Sequence, residues 1–497
     1  MTVRAEMSGR IVYPALYEIN TRVLLRKLER ASPGLKTLDD IPDSLLDGWA
    51  RAGFDWIWLL GVWQTGPAGQ QISRSVPALR EEFHQLLPDC CDVDVCGSCF
   101  AVADYTVSEK LGGNAALLRI RDRLSGRNLR LMLDFVPNHT ALDHPWVRTH
   151  PEYYIHGSED DLVRESGNYC RVESQVLAYG RDPYFAGWPD TLQLNYAEAC
   201  FQAAMRAELL KIAGMCDGLR CDMAMLMLPD VFERTWRRRA EPFWPGAIQA
   251  VRGVHPNFRF MAEVYWDREW DLQQQGFDYT YDKRLYDRLR AQEAVAVRDH
   301  LKADLNFQAR SARFLENHDE PRAAATFPGD VHRAAAAVTF LSPGLRFFHD
   351  GQLEGFRSRI PVHLNRGPAE PADISLLTFY ERLLKCLKVP ELRTGEWRLL
   401  ECTRAWDTNW TVEDFICFAW SGGRRLRFVV AVNYAAHQSQ CFVQLPFEDL
   451  RGRQVRLRDT MSDAVYDRDG DELLNRGLYL DMPAWGLHVF ELRCTGE

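Results

Sequence analysis

Four short stretches of this chain carry the residues able to do chemistry. "DFVPNHT" (134–140) holds Asp134, Asn138 and His139, and "GLRCDMAML" (218–226) sets Arg220 and Asp222 inside an apolar run. "MAEVYW" (261–266) frames Glu263 with apolar neighbours, and "ENHDE" (316–320) holds Asn317, His318 and Asp319. Taken singly, each polar group is explained by a local salt bridge or a turn cap. Together they need another reason, because buried charge is costly unless paired. Side chains alternate along a strand, so Arg220 and Asp222 share a face. If that face is enclosed, the arginine keeps the aspartate ionised and aimed. An ionised, fixed aspartate suits a nucleophile. Glu263 leaves an apolar frame that raises its pKa, which suits a proton donor. One anion with one acid is what cleavage of a glycosidic bond requires.

These groups must be gathered from distant segments, and the chain between them indicates how. Eight short apolar runs recur, at 13–20, 54–62, 129–138, 218–226, 258–266, 277–282, 313–320 and 344–351. Most are near-continuous, as in parallel strands covered on both faces. Segments of helical period alternate with them, among them "DSLLDGWARAG", "NAALLRIRDRL", "CFQAAMRAELLKIAG" and "ISLLTFYERLLKCL". Eight β-then-α units predict an α/β fold, the (β/α)8 TIM barrel, whose chemistry sits at the C-terminal ends of its strands. A doubly wound open sheet is the competitor, but no glycine-rich phosphate loop follows the first strand. Two connections exceed the repeat, residues 63–112 and 139–196, and in a barrel such insertions fall on the catalytic face. After about residue 390 apolar and polar residues alternate between turn signals, which predicts a separate antiparallel β domain.

Composition narrows the partners. A chain of 497 residues suggests two or three domains. A net charge of -9 without a Lys/Arg block argues against a nucleic-acid binder. No window reaches the roughly eighteen apolar residues of a membrane span, and "MTVRAEMSGRIVYPALYEIN" lacks the apolar run of a secretory signal. The odd count of 13 cysteines is then read as reduced thiols of a cytoplasmic protein. Cys90, Cys91, Cys96 and Cys99 cluster in "PDCCDVDVCGSC", yet the second Cys-x-x-Cys of the usual zinc pattern is missing, so loop or buried cysteines are the reading.

In order and wording the four motifs resemble the conserved regions of the α-amylase superfamily of retaining glycoside hydrolases. "GFDWIWL" before them, "LQLNY" (192–196) and "PGLRFFHDGQ" (343–352) fit the same layout, so the resemblance covers nearly the whole chain. It implies a catalytic barrel over 1–138 and 197–390, a small inserted domain after the third strand over 139–196, and a C-terminal antiparallel β-sandwich over 391–497. It matches Asp222 to the nucleophile, Glu263 to the general acid/base and Asp319 to the third carboxylate, which grips sugar hydroxyls. Arg220 matches the nucleophile's partner, His139 and His318 the sugar-binding histidines, and Phe100 the place of a stacking tyrosine. The implied substrate is an α-linked oligosaccharide or glucan, hydrolysed through a covalent intermediate. A transglycosylase or isomerase of the same superfamily is the alternative, and a non-catalytic scaffold is disfavoured by the presence of all three carboxylates. Met223, Met225 and Leu226 stand where typical members carry a small residue and a Lys-His pair, so the subsites beyond the cleaved bond must be built differently, and apolar residues there would lower water access and favour transfer. No cofactor is required. Asn138 matches a residue that binds calcium in many members, which leaves a structural calcium ion open. Oligomeric state is not legible.

Overall fold

The apolar runs form eight strands with largely buried side chains. They are β1 (Ala15–Asn20), β2 (Trp56–Leu60), β3 (Arg130–Phe135), β4 (Gly218–Cys221), β5 (Arg259–Ala262), β6 (Tyr279–Tyr281), β7 (Ser311–Arg313) and β8 (Leu345–His349). The computed structural model describes residues 13–34, 36–422 and 426–494. Each strand pairs in parallel with the next, and β8 closes on β1 through Ala15↔Arg346 to Glu18↔His349. The predicted barrel is therefore the observed one. Residues 1–12, most of the segment read for a secretory signal, lie outside the described residues, as do residues 423–425.

The predicted helices form with an apolar face against the barrel. Ile374–Leu387 buries Leu376, Phe379, Tyr380, Leu383 and Leu387, a single stripe at helical spacing, and Asp373 caps it by accepting from the N–H groups of Ser375 and Leu376. Asp43–Ala52, Gly113–Ser125 and Ala199–Ala213 also form, without a side-chain cap; Gly113–Ser125 buries Ala116, Leu117, Ile120 and Leu124 at the same spacing.

Two strands are shorter than their sequence suggests. β4 stops at Cys221, because Met223 adopts a left-handed conformation (φ 42°, ψ 43°) and the chain enters a 3₁₀ turn over Ala224–Met227. β7 ends where "RFLENHDE" begins. Beyond it, side chains hold the backbone in place of a ladder. Asn317 Oδ1 accepts from the N–H groups of Asp319 and Glu320 at 2.9 and 2.8 Å, and buried Glu316 pairs with Arg322. Both early endings turn polar groups into the mouth of the barrel.

The two long connections cover that mouth. Within 139–196, His139–Ala141 pairs with Thr191–Gln193, stitching the two ends of the insertion together. Within 63–112, Asp94 is gripped by Arg366 from the loop after β8, at 2.7 Å. The cysteine patch lies in this contact. Cys96 Sγ donates to the His363 carbonyl at 3.2 Å and accepts from Arg22 Nη1 at 3.3 Å. Among the described residues no three His, Cys, Asp or Glu side chains are grouped to hold a metal. None of their helices is long and apolar enough to cross a membrane.

From Glu396 onward the chain forms a six-stranded and a three-stranded antiparallel sheet. Alternation along the central strands explains how they attach. Ile416, Phe418 and Trp420 of Phe415–Ser421 join the barrel core, whereas Phe415, Cys417 and Ala419 face the second sheet. Trp420 Nε1 donates to the Leu341 carbonyl at 2.7 Å, fixing the seam.

Candidate active site

Arg220 is the fixed point of the barrel mouth. It is fully buried on β4, in register with Asp134 on β3 and Met261 on β5. Its guanidinium carbon lies 5.1 to 5.8 Å from the ring centres of Phe100, Trp58 and Tyr281. These rings exclude water from the cation; the Tyr281 hydroxyl accepts from Nε at 3.3 Å, and carboxylates face the other two nitrogens. Nη1 donates to Asp222 Oδ1 at 2.6 Å, and Nη2 lies 2.7 Å from Glu263 Oε2. Asp222 follows the last residue of β4, two positions from Arg220 and on the same face.

Glu263 sits just past β5 and is buried. Its Oε2 also accepts from the Met223 N–H at 2.7 Å, and its Oε1 accepts from the Tyr265 hydroxyl at 2.9 Å. The left-handed turn that ends β4 is what aims the Met223 N–H at this carboxyl. Burial raises the Glu263 pKa, Arg220 opposes the rise, and the charges of Asp222 and Asp319 add to it, leaving the group at about 7.

His318 is enclosed between two carboxylates. Its Nδ1 lies 2.5 Å from Glu18 Oε1 and its Nε2 lies 3.0 Å from Asp319 Oδ2. Burial alone would depress the imidazole, but Asp319 and Glu18 together hold it well above its ordinary value, so it carries a proton at neutral pH. Asp319 is drawn down to about 2: its recessed position works upward, and the His318 and Arg220 charges outweigh it. The Asp319 side chain keeps 45% of its surface open to the cleft. Phe100 lies 5.2 Å from the His318 ring. His139 is buried beside Trp188, hydrogen-bonded to the Phe100 backbone, and burial lowers its pKa so that it stays neutral.

All seven residues singled out in the sequence thus converge: Arg220, Asp222, Glu263, Asp319, His318, His139 and Phe100. Asp134 does not join them as an open group. Its oxygens accept from Trp58 Nε1 and the Gly61 N–H at 3.0 and 2.8 Å, and burial raises it to about 6. Glu18, Tyr265, Tyr281 and Trp58 complete the site without having stood out in the sequence. Glu18 had a usable signal, since a lone charge inside apolar "ALYEIN" is the same anomaly as Arg220 in β4. Met225 and Leu226, expected near the bond-cleaving groups, turn into the core, and only Met223 reaches the cavity beside them.

Asn138 is arranged for a donor rather than a cation. Its side-chain oxygen and its carbonyl each accept from Gln193 Nε2 at 3.0 Å, and the same amide donates to the Leu194 carbonyl at 3.1 Å. Gln193 is fully buried. A hard cation would need these oxygens for itself, so the donor set does not fit calcium.

No family model matches the chain. "Alpha-amylase 3" of Dictyoglomus thermophilum is 22% identical over 274 residues, which is 50% of this chain and 51% of that protein. The chain therefore spans about half the length of the curated relative it matches. Solved structures align over almost the whole chain. A noncanonic maltogenic α-amylase, AmyB from Thermotoga neapolitana, superposes with a TM-score of 0.68 at 19% identity, covering 97% of this chain and 99% of that one. An α-amylase from Geobacillus thermoleovorans in complex with acarbose gives 0.66 at 18% identity, covering 97% and 98%. The likeness to the α-amylase superfamily read from the four motifs is carried by both kinds of comparison, and the fold is the one those structures share.

Proposed function

We propose that this chain is a retaining glycoside hydrolase of the α-amylase kind, cleaving α-glucosidic bonds in maltooligosaccharides or α-glucans. The observation that carries the reading is one guanidinium, Arg220, gripping two carboxyl groups in unlike environments. Asp222 is the nucleophile. Its bond to Arg220 stabilises the anion and fixes one oxygen, leaving the other to attack. Glu263 is the general acid, since burial keeps its proton on near neutral pH.

In the first step Glu263 protonates the departing glycosidic oxygen while Asp222 attacks the anomeric carbon. The Met223 N–H, the Tyr265 hydroxyl and Arg220 then stabilise the carboxylate that Glu263 becomes. In the second step Glu263 takes a proton from water, and that water displaces Asp222 from the anomeric carbon. Two displacements at one carbon retain its configuration. A shared guanidinium favours the close pair of a retaining site, about 5 Å apart, over the roughly 6.5–9.5 Å of an inverting one. Charged His318 and anionic Asp319 hold sugar hydroxyls, His139 adds a neutral donor or acceptor, and Phe100 offers an apolar face to the ring.

Hydrolysis is favoured over transfer because two of the three apolar residues expected to dry the cleft, Met225 and Leu226, are buried in the core, leaving Met223 alone at the cavity. The names of the relatives, and the acarbose bound by one of them, support the substrate class. No calcium ion enters this reading at Asn138, since Gln193 uses its oxygens. Thirteen free cysteines are in keeping with a reducing, cytoplasmic setting.

Proton NMR of fresh product from maltotetraose tests the reaction class. The α anomer appears first if configuration is retained, and a β anomer appearing first would rule the mechanism out.

A further inference from the structure

Three of the cysteines meet inside the C-terminal β domain, apart from the barrel mouth. Cys417 lies on the inner face of Phe415–Ser421, in the six-stranded sheet. Cys441 lies on the inner face of Ser439–Val443, in the three-stranded sheet. Cys402 reaches the same space from Cys402–Thr403, the short strand at the edge of that second sheet. The register explains the meeting. Cys402 pairs with Val443, which shares a face with Cys441 two residues away. Two residues before Cys402, the Leu400 N–H donates to the Cys417 carbonyl at 2.9 Å, which brings the first sheet to the same point. Cys417 and Cys441 are fully buried, whereas Cys402 is half-buried.

The Cys402 sulfur is hydrogen-bonded to both other thiols. The three sulfurs form a chain with Cys402 in the middle, and they make no metal-holding group among the described residues. Cysteine also serves as a small apolar filler, but fillers have no reason to bond one another. The bonds from Cys417 and Cys441 favour the Cys402 thiolate, and the Arg298 guanidinium adds to them. Together they outweigh burial and the Glu413 charge, and hold Cys402 well below the ordinary thiol value. Burial pushes Cys417 and Cys441 up, so both keep a proton to donate. A thiolate on an edge strand, with protonated thiols in contact, is the arrangement that oxidises to a disulfide.

We propose that Cys402 is a peroxide-reactive thiol that joins Cys417 in a reversible disulfide, a covalent staple between the two sheets. The Cys402 sulfur attacks one oxygen of hydrogen peroxide. The S–O bond forms, the O–O bond breaks, and the other oxygen takes up a proton and leaves as water. The Cys417 sulfur then attacks the sulfenic acid on Cys402. The S–S bond forms, the S–O bond breaks, and the hydroxide leaves as water with the proton that Cys417 gives up. The two thiols lose two electrons and the peroxide gains them. A small thiol reverses the bridge by exchange. Cys417 is the partner because it makes the stronger of the two bonds to Cys402. The staple would tighten the strand whose other face, through Ile416, Phe418 and Trp420, holds this domain to the barrel.

Peptide mapping of the full chain tests this. The protein is treated with hydrogen peroxide, its remaining thiols are blocked, and the digest is read by mass spectrometry without reduction. A Cys402–Cys417 peptide pair is expected, with the intact mass lower by about 2 Da and restored by dithiothreitol. Cys402 should be consumed before the exposed Cys200, since thiolate character rather than exposure sets the order. Cys402→Ser, at a half-buried edge position, should lower the yield of bridged protein by roughly 10-fold or more, with its fold checked by circular dichroism. Absence of a bridge, a bridge between any other pair, Cys402–Cys441 included, or consumption of Cys200 before Cys402 would overturn the proposal.

Discussion

The Tyr265 hydroxyl donates to Glu263 Oε1 at 2.9 Å from only two residues away, so the strand end that presents the acid also regulates its proton. Glu263 must carry that proton to act, and its pKa lies at about 7. Activity should therefore fall as pH rises through about 7. Donation from Tyr265 favours the carboxylate, so Tyr265→Phe raises the pKa further and moves the alkaline limb of the kcat/KM profile upward, by roughly 0.5 pH unit or more for one hydrogen bond. A limb that stays in place would mean that Glu263 is not the group titrating.

Arg220→Lys keeps the charge and discards the planar fork. A lysine ammonium is a point charge and cannot present two fixed donors to Asp222 and Glu263 at once. Loss of kcat by about 10²–10³ is expected, the usual effect of removing one preorganised donor. Steady-state kinetics on maltotetraose read this directly, and near-native turnover would show that the shared guanidinium is dispensable.

His318 should remain protonated at neutral pH, because Asp319 and Glu18 outweigh the effect of burial. Its folded pKa is raised above the unfolded value, so the pairing contributes stability that is fully present below about 6.5 and is lost as pH climbs through the folded value. Glu18→Gln should lower the His318 pKa, seen by NMR of labelled histidine. It should also cost about 1–3 kcal/mol near pH 6, and less at alkaline pH. A variant whose deficit did not depend on pH would contradict the assigned ion pair.

Gln193 fills the place that a cation would otherwise take beside Asn138. The melting temperature of the wild-type chain should be the same in excess chelator and in excess calcium. Gln193→Ala leaves buried carbonyls without a donor and should cost about 1–3 kcal/mol. A melting temperature that rises with calcium in the wild type would refute this account of Asn138.

The barrel was legible because its strands are near-continuous apolar runs and its helices keep one apolar stripe. Arg220 and Asp222 were legible for the opposite reason, as charges where a strand should carry none. The end of β4 was not, since a methionine at positive φ has no local signature, and the turn depends on Glu263, forty residues away, accepting the Met223 N–H. For the same reason the sequence places Met225 and Leu226 at the cleft, whereas the turn buries them. Gln193 was unreadable too: a lone glutamine in "LQLNY" acquires meaning only when the pairing of His139–Ala141 with Thr191–Gln193 brings Asn138 to its amide.

The central claim is that Asp222 forms a bond to the sugar while Glu263 handles the proton. The most direct measurement is mass spectrometry of the protein after incubation with 5-fluoro-α-glucosyl fluoride, whose fast first step and slow second step accumulate the intermediate. The account predicts one added fluoroglucosyl unit, recovered on the peptide containing Asp222 and absent in Asp222→Asn, while Glu263→Gln loses about 10²–10⁴ in turnover of maltotetraose. A label recovered on any other carboxylate, or unimpaired turnover by Asp222→Asn, would contradict it.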